Sequence, residues 1–340
     1  MSGKTPAIIP RSGKSEHMPA WQVELAHAVR SGDELLRRLE IEPGQVNTRP
    51  WSADFPLRVP RGFVRRMRRG DPRDPLLLQV LPVSEETELP HGYCTDPLRE
   101  ADVMPVPGLL HKYHGRALLT VTGACAVHCR YCFRRHFPYL DANPAHGQWT
   151  KVVDYLAAHP EINELILSGG DPLSLTDNRL QRLTSQLAGI DHLRTLRIHT
   201  RIPIVLPARI DAGLLEWLAG LSLRIVMVVH CNHPNEIDDS VSQAMQRLGR
   251  AGVTLLNQSV LLRDVNDAAE TLVQLSQRLF ADGVLPYYLH QLDRVQGAAH
   301  FEVDDKRARE LLAALHGRLP GYLVPRLVRE VPGEPGKRPL

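Results

Sequence analysis

From residue 117 onward the chain alternates two patterns. Short apolar, β-branched runs are followed by longer stretches whose apolar residues recur on one helical face. The first pattern is that of buried strands, the second that of helices packed along one side. Strands are expected at 118–122, 164–168, 195–200, 224–230, 254–260 and 285–290. Helices are expected at 150–158, 177–188, 212–221, 239–251, 268–281 and 304–318. Six β–α units in succession argue for a parallel sheet with helices outside. The lack of two further units argues for an open barrel. The expected fold class is therefore α/β, a partial (β/α)6 TIM-like barrel. In such barrels chemistry gathers on the loops after the strands' C-terminal ends, and that is where the polar residues of this chain fall.

Upstream, residues 1–20 are polar and proline-containing and are expected to fray. Residues 21–39 carry helical periodicity through Trp21, Leu25, Val29, Leu35, Leu36 and Leu39, broken into two helices at Ser31-Gly32-Asp33. Arg61, Arg65, Arg66, Arg68 and Arg69 form a basic run with few aromatic partners and with Asp71 and Asp74 close by, so a solvated helix face fits it better than a nucleic-acid surface. Pro105-Val106-Pro107-Gly108 marks a boundary. The expected division is 1–105 helical and extended, 106–303 barrel, and 304–340 a last helix and tail. The chain has 340 residues, 43% hydrophobic content and a net charge of +3, enough for a sizeable core and too mild a charge to imply a polyanion partner. No run of 18 apolar residues suggests a membrane span, and the N-terminus lacks a signal-peptide core, so a cytoplasmic protein is expected.

The chemistry concentrates at the strand ends. Cys125, Cys129 and Cys132, spaced C-x3-C-x2-C, follow the first barrel strand directly. Three thiolates can hold three irons of an Fe–S cube and leave the fourth open. A structural zinc would need a fourth donor from His128, His136 or Cys94. A disulfide suits such a chain less well. Ser168-Gly169-Gly170-Asp171 ends the next strand; its glycines let a ligand approach the backbone, or form an ordinary turn. His230, Cys231 and His233 look like a second metal group, but strand alternation sends His230 and Cys231 to opposite faces. Asn257-Gln258-Ser259 suits a ribose or phosphate, or polar pairing inside the core. Asp293 is either a helix cap or a partner for a cationic substrate. Lys337, in a Pro/Gly-rich tail, is either solvated or able to form a Schiff base with pyridoxal phosphate (PLP).

Several motifs occur in order: Pro107-Gly108-Leu109-Leu110-His111-Lys112-Tyr113-His114-Gly115-Arg116, the cysteine loop with Arg134-Arg135, Ser168–Asp171, Arg201-Ile202-Pro203-Ile204-Val205-Leu206-Pro207, His233-Pro234-Asn235-Glu236, Asn257–Arg263, and Gly333-x-x-Gly336-Lys337. Together they resemble the lysine 2,3-aminomutase family of radical S-adenosylmethionine (SAM) enzymes, from about residue 50 to the C-terminus. The resemblance implies a partial barrel of the radical SAM type with an N-terminal helical extension and a C-terminal cofactor-binding tail. It implies an isomerase turning L-lysine into (R)-β-lysine. Cys125, Cys129 and Cys132 would ligate a [4Fe-4S] cluster whose open iron chelates SAM, and Ser168, Gly169, Gly170 and Asp171 match the motif that holds SAM's amino group. Lys337 would carry PLP, and Arg134 would clamp the substrate carboxylate. Asp293 and Glu330 would hold the side-chain ammonium, with Glu330 standing where long members carry aspartate. Tyr113, Arg116 and Gln258 would contact PLP or SAM.

Within the family the chain is most similar to the short members that supply β-lysine for modification of elongation factor P. It ends three residues after Lys337, has Ala268 where long members carry a zinc-ligand cysteine, and opens with a Trp21-x-x-x-Leu25 helix. The implied partners are free L-lysine, a reductant such as flavodoxin or ferredoxin, a lysyl-transferring ligase with elongation factor P, and a second copy if the protein oligomerises. Lysine catabolism by the same chemistry is the alternative. A non-catalytic Fe–S or zinc protein on the same fold is the alternative from another class.

Overall fold

The computed structural model describes residues 18–48, 55–139 and 149–340. The expected fraying therefore lies outside the described residues as far as residue 17. Among the described residues, nine strands form one sheet whose spatial order is their order along the chain. They are β1 (Leu109–Tyr113), β2 (Arg116–Thr122), β3 (Glu164–Gly169), β4 (Thr195–Thr200), β5 (Arg224–His230), β6 (Thr254–Val260), β7 (Leu285–His290), β8 (Arg326–Arg329) and β9 (Arg338–Pro339). Strands β2 to β8 run parallel, whereas β1 and β9 pair antiparallel at the two edges. All six expected strands are present. The sheet goes further by continuing its parallel run into β8, which escapes a periodicity reading because four residues after a proline are too few to show alternation.

The helices before the sheet are α1 (Ala20–Ala26), α2 (Gly32–Arg38), α3 (Arg61–Val64) and α4 (Pro75–Leu78). Those between its strands are α5 (Trp149–Ala158), α6 (Asp177–Leu187), α7 (Ile202–Val205), α8 (Ala212–Ala219), α9 (Asp239–Arg250), α10 (Ala269–Ala281) and α11 (Asp305–His316). Their starts are written in the sequence. Asp211, Asp238 and Asp304 precede α8, α9 and α11, and each side chain accepts a first-turn backbone N–H, which satisfies a donor the helix cannot. The inward face follows the helical period: in α9, Val241, Ala244, Met245 and Leu248 are buried.

One continuous core joins the N-terminal helices to the strands, from Trp21, Leu35, Leu36 and Leu39 to Leu119, Leu165, Leu196 and Met227. The fully buried Arg209 lies over Trp21 at 4.7 Å and donates through Nε to the Leu173 carbonyl at 2.9 Å. Trimming Trp21 to alanine would therefore cost about 3–5 kcal/mol. The basic run corrects its expectation in part. Arg61, Arg65, Arg68 and Arg69 are exposed, but α3 is a single turn, and Arg66 turns inward to the Glu236 carbonyl and the Asp238 carboxylate.

The sheet curls until its edges meet through side chains. On β1, Lys112 Nζ lies 3.2 Å from a Glu330 carboxylate oxygen, just past β8, and the Tyr113 hydroxyl lies 3.2 Å from the same oxygen. The barrel is thus an open one whose seam is clasped by charged and polar groups.

Candidate active site

A cavity of about 570 Å³ opens at the C-terminal ends of the strands. It is lined by Cys125, Cys129, Cys132, Arg134, Ser168, Gly169, Gly170, Asp171, Tyr113, Arg116, Gln258, Asp293, Glu330 and Lys337. Every residue to which the resemblance assigns a role therefore lines one chamber, although the first and last are more than 200 positions apart.

At one end lies the thiol loop. Arg130 and Arg135, on either side of Cys132, both pair with the fully buried Glu86 carboxylate, which anchors the loop to the N-terminal region. Burial, helped by its thiol neighbours, pushes Cys125 well up and Cys132 up to about 11, so metal uptake here displaces protons. The candidate fourth zinc donors are engaged elsewhere. His128 Nδ1 donates to the Pro56 carbonyl at 2.7 Å, His136 Nε2 lies 3.3 Å from the Gln296 carbonyl, and Cys94 is exposed. Three thiols that line one cavity, with the candidate fourth donors bonded or placed elsewhere among the described residues, suit an open cluster.

The glycines of 168–171 are required by protein packing. A side chain on Gly170 would begin 2.4 Å from the Ala124 carbonyl, and one on Gly169, at φ +118°, 2.6 Å from the Thr122 carbonyl. These backbone groups are not left for a ligand: Gly170 N–H donates to the Thr122 carbonyl at 2.6 Å and the Gly169 carbonyl accepts the Tyr139 hydroxyl at 2.8 Å. The Asp171 carboxylate accepts from the Thr200 hydroxyl and the Leu173, Arg201 and Ile202 amides, tying the end of β3 to the end of β4.

At the other end charges alternate in a chain. Arg134 meets Glu100 through Nε (2.7 Å) and a terminal nitrogen (2.8 Å), and its other terminal nitrogen donates to Ser168 Oγ at 2.9 Å. Lys112 stands 3.6 Å from Glu100 and 3.2 Å from Glu330, and Lys337 Nζ closes the chain on Glu330 at 2.5 Å. Burial pushes Glu330 up, but Lys337 and Lys112 outweigh it and hold the carboxyl well below its usual range. Asp293 differs. Burial, with Glu330 nearby, pushes it up to about 7 against the pull of Lys337 and Lys112. Two imidazoles face this end, those of His199 and His290, and each Nε2 is buried without a partner among the described residues. Burial, with Arg197 and Lys337 near His199 and Lys337 near His290, holds both rings well below the usual imidazole range. Lys337 Nζ also lies 5.8 Å from the Tyr288 ring centre, and the Arg116 guanidinium lies 4.5 Å over Tyr113. An amine, aromatic rings, an arginine and two orphaned imidazole nitrogens are a fitting donor set for a phosphorylated pyridine aldehyde.

The second metal-like group dissolves. His230 lines the cavity and meets the Tyr131 hydroxyl at 3.2 Å, whereas Cys231 is buried on the other side with its sulfur 3.6 Å from the His233 carbonyl. Asn257 and Ser259 pair within the core on the Cys231 backbone, and only Gln258 reaches the cavity. Sequence reasoning missed Glu100, Lys112, His199 and His290 as site groups. His199 and His290 carried a readable signal, each sitting at or next to a strand's last residue. Glu100 carried none, since it lies in a polar connector.

No protein-family model matches the chain. It is 55% identical to the L-lysine 2,3-aminomutase of Escherichia coli (strain K12), over 94% of this chain and 94% of that protein. It is 47% identical to the L-lysine 2,3-aminomutase of Haemophilus influenzae, over 97% and 98%. With the enzyme of the same name from Clostridium subterminale it shares 38% identity, over 80% of this chain and 65% of that one. Among solved structures, a radical SAM methyltransferase from Sphaerobacter thermophilus aligns with 65% of this chain and 68% of that one, at 17% identity and a TM-score of 0.46.

Proposed function

Since the chain belongs to the lysine 2,3-aminomutase family, we propose that it is a radical SAM isomerase that moves the amino group of L-lysine from the α- to the β-carbon. The observation that carries this reading is the chamber itself, with an open thiol trio at one end and Lys337, Asp293 and Glu330 at the other. Cys125, Cys129 and Cys132 hold a [4Fe-4S] cluster, Ser168 to Asp171 border the SAM site, and Lys337 holds PLP. When bound, the cluster with SAM supplies hydrogen-abstracting chemistry and PLP supplies an electron-delocalising ring on the migrating nitrogen.

The chain's own residues do the rest. Asp293 meets the lysine side-chain ammonium, because it is the acid at that end with no cation bonded to it. Glu330 shares that task once Lys337 is engaged with PLP and leaves it paired with Lys112 alone. Arg134 keeps N–H groups beyond those bonded to Glu100 and Ser168, and these receive the substrate carboxylate. The neutral imidazoles of His199 and His290 donate to or accept from the bound groups without adding charge. Buried walls on both sides exclude water from a reaction that water would quench.

The product is assigned to the modification of elongation factor P, through a ligase that takes up β-lysine. What supports this is the likeness to the short members and Ala268, which precedes α10 and offers no metal ligand. Anaerobically reconstituted protein should convert lysine, and not arginine or glutamate offered beside it, to the β-amino acid. Equal turnover of glutamate would overturn the substrate assignment. Release of β-lysine that no such ligase accepts would favour the catabolic reading.

A further inference from the structure

Two motifs singled out in the sequence have no part in the chemistry above: Arg201-Ile202-Pro203 after β4 and His233-Pro234-Asn235-Glu236 after β5. The fold brings them together behind the thiol loop. Arg201 is 6% exposed and Glu236 is fully buried. One terminal nitrogen of Arg201 lies 2.7 Å from Cys129 Sγ and 2.6 Å from the Tyr131 hydroxyl. The other lies 2.7 Å from Gln79 Oε1 and 3.0 Å from a Glu236 oxygen. The second Glu236 oxygen accepts from the backbone of Asn232 and His233 and from Gln79 Nε2. Asn232 Nδ2 in turn donates to Gln79 and Tyr131.

Burying an ion pair is costly, and well-packed apolar groups usually serve stability as well or better. This pair is also built asymmetrically. The carboxylate is tied down on the side away from the thiols, and the guanidinium presents an N–H to one sulfur of the three. A positive donor aimed at a cluster sulfur stabilises the form with the extra electron, since one-electron reduction adds negative charge to the irons and their thiolates. We propose that Arg201, held in place by Glu236, is a positioning residue that raises the reduction potential of the cluster through its N–H contact with Cys129 Sγ. The pair would thereby ease electron entry from a low-potential donor. This inference rests on the cluster assignment above.

The test is a dithionite-range redox titration of the reconstituted cluster, followed by its visible and paramagnetic signals, without SAM or lysine. Wild type is compared with Arg201→Gln and Arg201→Lys, with iron and sulfide counted in each. At a fixed potential Arg201→Gln should lower the ratio of reduced to oxidised cluster about tenfold, which for a one-electron couple is about 59 mV to the negative side. Arg201→Lys, which keeps the charge but not the fork, should fall between. Full iron content with wild-type ratios in both variants would overturn the proposal. So would folded variants that take up no cluster, since Arg201 would then serve assembly. If Arg201→Gln alone fails to load, Arg201→Lys decides by the same criterion. Wild-type protein that binds no iron–sulfur cluster would instead bring down the cluster assignment itself.

Discussion

The two ends of the chamber are built on opposite plans. Behind the thiols each charged side chain already has a protein partner, although Arg201 and Arg135 each keep a buried Nε without one among the described residues: Arg201 has Glu236 and Gln79, Asn232 has Tyr131, and Arg130 and Arg135 share Glu86. At the lysine end the partners are provisional or missing. Among the described residues Glu330 is shared by two lysines, Asp293 has no bonded cation, and two imidazole nitrogens are orphaned. The first plan suits a group that stays in place and needs a rigid frame. The second suits groups that enter and leave, since an unpaired buried polar atom gains most from the ligand that satisfies it.

The largest effect should come from the loose end. Lys337→Ala should abolish formation of β-lysine, measured anaerobically with all cofactors, while SAM cleavage by the reduced cluster partly survives. Normal isomerisation by that variant would remove Lys337 from its assigned role. On the rigid end, Glu86→Ala leaves two buried guanidinium groups without their carboxylate and should cost about 3–5 kcal/mol of stability. Denaturant unfolding reads this directly, and a loss below about 1 kcal/mol would show that the cysteine loop is held by something else.

Asp293→Ala should weaken lysine binding by about 2–5 kcal/mol, at least roughly thirtyfold, because an ammonium withdrawn from water loses its counter-charge. Unchanged affinity would blur the contrast between the two ends. The smallest effect concerns pH. A carboxyl raised from its usual value to about 7 binds more protons folded than unfolded. Stability therefore falls as pH rises between about 4 and about 7. Asp293→Asn should remove that decline and leave the variant more stable than wild type at pH 8. Below pH 4 the difference should vanish. Parallel curves for the two proteins across that window would mean that Asp293 is better solvated than its place in the wall suggests.

Much of the site was legible because its groups sit where the strand period ends. Cys125, Ser168, Arg201 and Asp293 each follow an apolar run closely, and in a parallel barrel that position faces the chamber. The strand at 326–329 was not legible, nor was the role of Glu100. Arg326 and Arg329 flank only two buried residues, Leu327 and Val328, so no period has room to appear. Glu100 is buried by Arg134 and Lys112, which come from elsewhere in the chain, and no local pattern encodes a partner at that distance. Asn257 and Ser259 show the reverse failure. Their amide and hydroxyl looked like ligand groups, and the fold spends them on the Cys231 backbone.

The sequence by itself determined six of the strands and the long helices between them, the thiol spacing and the family, because these depend on near neighbours and on residue type. Only the tertiary structure decided which charge meets which: that Glu330 grips Lys112 and Lys337, that Asp293 is left without a cation, and that Arg201 reaches a thiol of the trio. Charge pairing acts through space over a few ångströms, and the curl of the sheet, not the order of residues, sets those distances.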